Sequence, residues 1–155
     1  IIGGGMSSHL FQEIREKRGL VYSVYASSQL YEGAGIFEMY AGTRPENIAE
    51  VVKVATEQFA LAAQDGLTAD ELARAKELAA GSFVLGTEST RTRMSRLGRL
   101  AVLDLPIDSI DEIIEKYRAV TLEEVNEAAR ELFTQEMTLA VVSPYKQEKI
   151  ERMLK

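Results

Sequence analysis

The chain has 155 residues, of which 46% are hydrophobic, 27% charged and 7% aromatic, the profile of one soluble globular domain over residues 1–155. Its 18 basic and 24 acidic residues give a net charge of −6, which argues against nucleic acid as the main partner, because a phosphate-tracking surface is basic overall. The absence of cysteine excludes zinc fingers, iron–sulfur clusters and thiol catalysis, and the single histidine, His9, excludes the multi-imidazole zinc sites of most zinc hydrolases.

No apolar run approaches the ~18 residues that a membrane span needs, so no membrane partner is expected. The start at Ile1-Ile2-Gly3 lacks the basic and apolar regions of a signal peptide. A cysteine-free chain suits a reducing compartment, and a cytoplasmic location is the expectation. The lack of an initiator methionine, together with an apolar Ile1-Ile2 that reads as the tail of a longer element, predicts a piece excised from something larger, truncated at its N-terminus, with one or two strands and a helix upstream.

In chain order, a Gly3-Gly4-Gly5 turn leads into a helix from about Ser8 to Arg18, with Ser7 or Ser8 as N-cap and Gly19 as its stop. Two runs rich in β-branched and aromatic residues follow, Val21 to Ser27 and Ile36 to Ala41, separated by the turn residues Glu32-Gly33-Ala34-Gly35, and read as a hairpin. Four capping boxes then mark helix starts, a Ser or Thr receiving the amide of a Glu three residues on: Thr43 with Glu46, Thr68 with Glu71, Ser109 with Glu112, Thr121 with Glu124. Each introduces an apolar stripe at helical spacing: Ile48, Val51, Val52, Ala55, Phe59 and Ala62; Leu72, Ala75, Ala79 and Phe83; Ile110, Ile113, Ile114 and Tyr117; Val125, Ala129 and Leu132. Gly66 closes the first of these helices. A third strand over Met137 to Val142, stopped by Pro144, precedes a short helix. Strands and helices segregate along the chain, which predicts an α+β fold, a mixed or antiparallel sheet with helices packed on one face.

Four places invite a chemical reading. Gly3-Gly4-Gly5 before a helix has the form of an anion cradle, but it lacks the Gly-Lys-Ser/Thr ending of a phosphate loop; a flexible connector, or a close approach of backbone or substrate, is the alternative. His9 has no second ligand at helical spacing. Arg91, Arg93, Arg96 and Arg99 form the only strongly basic stretch; on a helix they spread around the circumference, which favours pairing with carboxylates over polyanion binding. Arg15 and Tyr22 lie on either side of the helix–strand corner at Gly19. Guanidinium and phenol both donate hydrogen bonds, suited to peptide carbonyls and to a developing oxyanion; the alternative pairs Arg15 with a local carboxylate and packs Tyr22 in the core.

The run from Gly3-Gly4-Gly5-Met6-Ser7-Ser8-His9-Leu10 through Arg15-Glu16-Lys17-Arg18-Gly19-Leu20-Val21-Tyr22-Ser23-Val24-Tyr25 resembles the signature of the second, C-terminal domain of pitrilysin-type (insulinase-like) zinc peptidases, nearest their processing-peptidase-like branch. Tyr40 to Asn47, Leu72 to Lys76, Glu88-Ser89-Thr90, Arg93 to Gly98 and Leu139 to Pro144 agree with it, so the likeness runs almost the whole chain. One departure is His9, where the family usually has Arg after the Ser-Ser pair.

The resemblance implies two similar α+β domains closing around an unfolded peptide, with zinc on the first domain in an inverted His-x-x-Glu-His helix. That motif does not occur here, so the resemblance implies the non-metal half: Arg15 and Tyr22 as the catalytic pair, Gly3, Gly4 and Gly5 as substrate-binding, zinc in the full-length enzyme and no metal in this chain. The implied partners are an unfolded peptide and a metal-bearing peptidase domain in cis or in trans, with self-association of isolated copies possible. The implied function is a substrate-binding, transition-state-assisting domain of a zinc endopeptidase cleaving peptides or presequences, silent alone; a non-catalytic partner subunit and a structural scaffold are the alternatives.

Overall fold

A computed structural model describes residues 1–154 and divides into two compact units, residues 1–66 with 126–155, and residues 67–125. The fold is α+β, as expected, with an antiparallel two-stranded sheet.

In the first unit a helix with π-type bonding, Phe11–Glu16, precedes β1 (Val21–Tyr31) and β2 (Ala34–Thr43). The hairpin turn is tighter than the sequence suggests: only Glu32 and Gly33 lie between the strands, and Gly33 takes φ +73°, a conformation glycine adopts without strain. On β2, Phe37 meets Phe59 of α1 (Ile48–Gln64) edge-on at 6.3 Å and Phe133 of α5 (Leu122–Phe133) at 5.4 Å, while Phe59 and Phe133 stack at 4.8 Å. This cluster covers one face of the hairpin and joins residues nearly a hundred positions apart. Of the α1 stripe, Ile48, Val51, Ala55, Phe59 and Ala62 are buried as the spacing predicts while Val52 is half-buried, and Gly66 follows the helix at φ +78°. A seven-residue helix, α6 (Gln147–Met153), contributes Ile150 to the core.

The second unit holds α2 (Ala69–Gly86), α3 (Thr90–Val102) and α4 (Ile110–Ala119), and the start of α5. Its buried apolar side chains are Leu67 and Leu72. Phe83 of α2 meets Tyr117 of α4 edge-on at 6.2 Å. The boxes at Thr68, Ser109 and Thr121 form with both reciprocal bonds.

Three sequence expectations are corrected. Thr43 caps no helix: it ends β2, opposite Val21, and its hydroxyl donates to the Leu20 carbonyl at 2.5 Å, so strand pairing has taken the side chain that the box needed. Its place is filled by a 3-10 turn, Pro45–Asn47, leading into α1. Met137 to Val142 form no strand; a strand exists only against a neighbour, and none of the described residues pairs with this segment, which stays exposed. Ser8 is no N-cap either, since its hydroxyl is buried and has no partner among the described residues.

Candidate functional site

The corner joining the first helix to β1 is built from four local features. Lys17 donates its amide to Gln12 at 3.0 Å, a π-type bond that widens the last turn; such turns recur at functional sites. Gly19 at φ +61° then reverses the chain, its amide returning to Arg15 at 2.9 Å, a left-handed helix cap. The Leu20 carbonyl is held by Thr43 at 2.5 Å and Asn47 at 3.4 Å. Next, the hairpin register slips between Val21 and Ser23: Val21 pairs with Thr43 and Ser23 with Gly42, leaving Tyr22 as the extra residue of a bulge.

That bulge decides what Tyr22 can do. It lets Val21 and Val24, three residues apart, both bury, and it leaves the Tyr22 side chain 86% exposed. Arg15 is also exposed, its guanidinium lying over the Phe11 ring at 5.0 Å. Arg15 forms no ion pair among the described residues, and the Tyr22 hydroxyl forms no hydrogen bond there. The local carboxylate that could have claimed Arg15, Glu13, is taken by Lys17 and, at 2.6 Å, by Arg18, and these bonds hold its pKa below the ordinary carboxylate value. Thus neither half of the structural alternative is realised: Arg15 is not neutralised and Tyr22 is not in the core. The two flank one corner with their donors free, without a bond between them.

The three glycines differ. Gly3 runs against β1: it accepts the Ala26 amide at 3.0 Å, and a Cβ on Gly3 would lie 2.5 Å from the Ala26 nitrogen. It is a close approach of backbone to backbone. Gly4 is exposed with open space about it, and the Gly5 carbonyl accepts from Ser8 at 3.0 Å. Gln12 reaches back to the Met6 carbonyl at 2.7 Å, so the loop is tied at both ends rather than a loose connector. His9 is half-buried in the first helical turn.

Elsewhere, Arg93 donates to the Thr87 carbonyl, and Arg96 donates to the Asp108 carbonyl at 2.8 Å with its guanidinium 5.6 Å from the Phe83 ring centroid. Arg93 and Arg96 therefore meet backbone carbonyls where carboxylates were expected. A groove of about 830 Å³ between α1 and α5 is lined by Ala60, Ala63, Gln64, Glu127, Arg130 and Phe133, none of them at the Gly19 corner, and it holds no catalytic constellation. Among the described residues no group of three or more His, Asp or Glu could hold a metal ion, and no helix is long and apolar enough to cross a membrane.

Residues 1–79 match the family described as the peptidase M16 inactive domain. The chain belongs to this family. It is 42% identical over 93% of its length to the uncharacterized zinc protease YmxG of Bacillus subtilis, and 39% identical over 98% to an uncharacterized zinc protease of Streptomyces coelicolor. It spans about a third of each relative, 35% and 33%. A crystal structure of a peptidase M16 inactive domain from Pseudomonas fluorescens superposes with a TM-score of 0.73 and 32% identity, covering 84% of this chain and 31% of that one. This M16 C-terminal domain accordingly stands in a hydrolase context.

Proposed function

We propose that this domain holds a polypeptide substrate for a zinc metallopeptidase and assists its transition state, with metal and hydrolytic base supplied by a partner domain in cis or in trans. The single observation that supports the reading most is the bulge at Tyr22, which turns a phenol outward with its hydroxyl unengaged, across the Gly19 corner from an exposed, unpaired Arg15. A phenol and a guanidinium donate hydrogen bonds without being bases at neutral pH, so they bind a peptide carbonyl and stabilise charge developing on its oxygen. They cannot activate water, and the isolated domain is expected to be proteolytically silent. Gly4 leaves the surface of the loop bare, open to a substrate main chain, the half-buried Gly5 beside it keeps the loop free of a side chain, and Gly3 contributes by seating that loop on Ala26.

The test uses the full-length polypeptide that carries this domain. Tyr22→Phe is expected to lower kcat with little change in KM, by roughly 2–4 kcal/mol of transition-state stabilisation, since the hydroxyl acts when charge develops. Unchanged kcat would remove the phenol from the chemistry. Zinc-dependent cleavage by the 155-residue chain alone would refute the division between the two halves.

A further inference from the structure

The hairpin has one face in the core and one in solvent. Phe37, Met39 and Ala41 are half-buried on the packed side. The open side carries three successive cross-strand pairs: Tyr25 with Tyr40, Ser27 with Glu38, and Gln29 with Ile36. Tyr25 and Tyr40 stack with ring centroids 5.2 Å apart and planes 24° from parallel. On the next rung, Ser27 Oγ and Gln29 Nε2 both donate to Glu38 Oε1 at 3.1 Å, and the Tyr31 hydroxyl donates to Gln29 Oε1 at 2.7 Å. This chain of bonds orients the Glu38 carboxylate through one oxygen. Oε2 has no partner among the described residues.

Charge makes the arrangement specific. From Gly19 to Thr43 the sequence contains Glu32 and Glu38 and neither Lys nor Arg, so the hairpin supplies no cation for the carboxylate it orients. Residues two apart on a strand stand roughly 7 Å apart on one face, which places the tyrosine plate beside the carboxylate. An electron-rich ring face next to an oriented anion is complementary to a side-chain cation: the carboxylate takes its N–H donors and the rings take its delocalised charge. A purely structural rung would be expected to carry its own cation, as Glu13 does with Lys17 and Arg18.

We propose that the open face of the hairpin is a subsite for one basic side chain, Arg or Lys, of an extended polypeptide, with Glu38 as the anionic contact and Tyr25 and Tyr40 as the aromatic platform. The proposal rests on the polypeptide-binding reading above and adds side-chain selectivity to it.

Two fluorescent peptides of equal length, differing only in one arginine replaced by its uncharged isostere citrulline, test it by anisotropy with the 155-residue chain. The arginine peptide is expected to bind roughly three- to tenfold tighter at low salt, the advantage shrinking as ionic strength rises. Glu38→Gln keeps an acceptor for Ser27 and Gln29 and is expected to lose the preference; Tyr40→Leu, which leaves the carboxylate in place, is expected to reduce it, with folding checked by circular dichroism in both. Equal binding of the two peptides by the unmodified chain would overturn the subsite while leaving the polypeptide-binding reading intact. A preference that survives Glu38→Gln would overturn the assignment to Glu38. Binding of neither peptide would overturn subsite and reading together.

Discussion

In the unit made of residues 1–66 and 126–155, Leu10 and Ile14 are fully buried, and Phe37, Phe59 and Phe133 meet from three elements far apart in sequence. In residues 67–125 only Leu67 and Leu72 are buried among apolar side chains, and the helices there are ordered by caps: the boxes at Thr68, Ser109 and Thr121, Ser89 accepting the Thr92 amide, and Arg93 and Arg96 on backbone carbonyls. The difference teaches where a site can be built. Holding a phenol outward on a bulge against solvent needs a scaffold that over-determines the backbone beneath it, and long-range packing supplies that, whereas caps fix only the turns they touch. Arg15, Tyr22, Tyr25, Glu38 and Tyr40 all lie in the long-range unit.

The largest expected effect probes that scaffold. Phe59→Ala removes a buried ring from the three-ring cluster and should cost about 3–5 kcal/mol in urea unfolding, while Phe83→Ala, truncating a half-buried ring in the other unit, should cost clearly less. Equal costs would break the distinction between the two units. A second contrast lies within the glycine loop. Gly3→Ala drives a methyl into the Ala26 backbone and should cost about 1–3 kcal/mol, whereas Gly4→Ala enters open space and should stay within about 0.5 kcal/mol. A neutral Gly3→Ala would mean that the loop is not seated on β1.

The same division explains what could be read from the sequence. Capping boxes at Thr68, Ser109 and Thr121 involve residues three apart and need nothing else, so they were legible. The box at Thr43 obeys the same pattern and fails, because Thr43 pairs across the hairpin with Val21 and its hydroxyl goes to Leu20, a contact 23 residues distant that no local pattern contains. Met137 to Val142 alternate like a strand, but alternation does not supply the neighbour that makes one. For the candidate site, the seven-residue spacing of Arg15 and Tyr22 and the stop at Gly19 were visible. The bulge that exposes Tyr22 was not, since it is a property of the register between two strands. The signal that could have pointed to it is Val21 and Val24, two branched apolar residues at an odd spacing on a strand that buries one face.

Smaller effects sharpen the contrast from the capped side. Ser109→Ala removes the hydroxyl that accepts the Glu112 amide and should cost about 1 kcal/mol, seen as faster amide exchange confined to α4. Acid should act in the same place. Glu112 is held below its ordinary pKa by the Ser109 amide and then its hydroxyl, Glu124 likewise by Thr121, and Glu13 by Lys17 and then Arg18. A carboxyl depressed in the folded state binds fewer protons there than in the unfolded chain, so its contribution is complete above the ordinary value of 4.5 and is lost as pH falls through the folded value. Two of the three, Glu112 and Glu124, lie in residues 67–125, where little buried surface remains once a box opens. On lowering the pH below about 4.5, amides of α4 should therefore lose exchange protection before those of α1, and Glu112→Gln should flatten the response of α4 to acid. Loss of α1 first would mean that the aromatic cluster, rather than the caps, carries the acid sensitivity, and the contrast between the two units would then have to be drawn the other way.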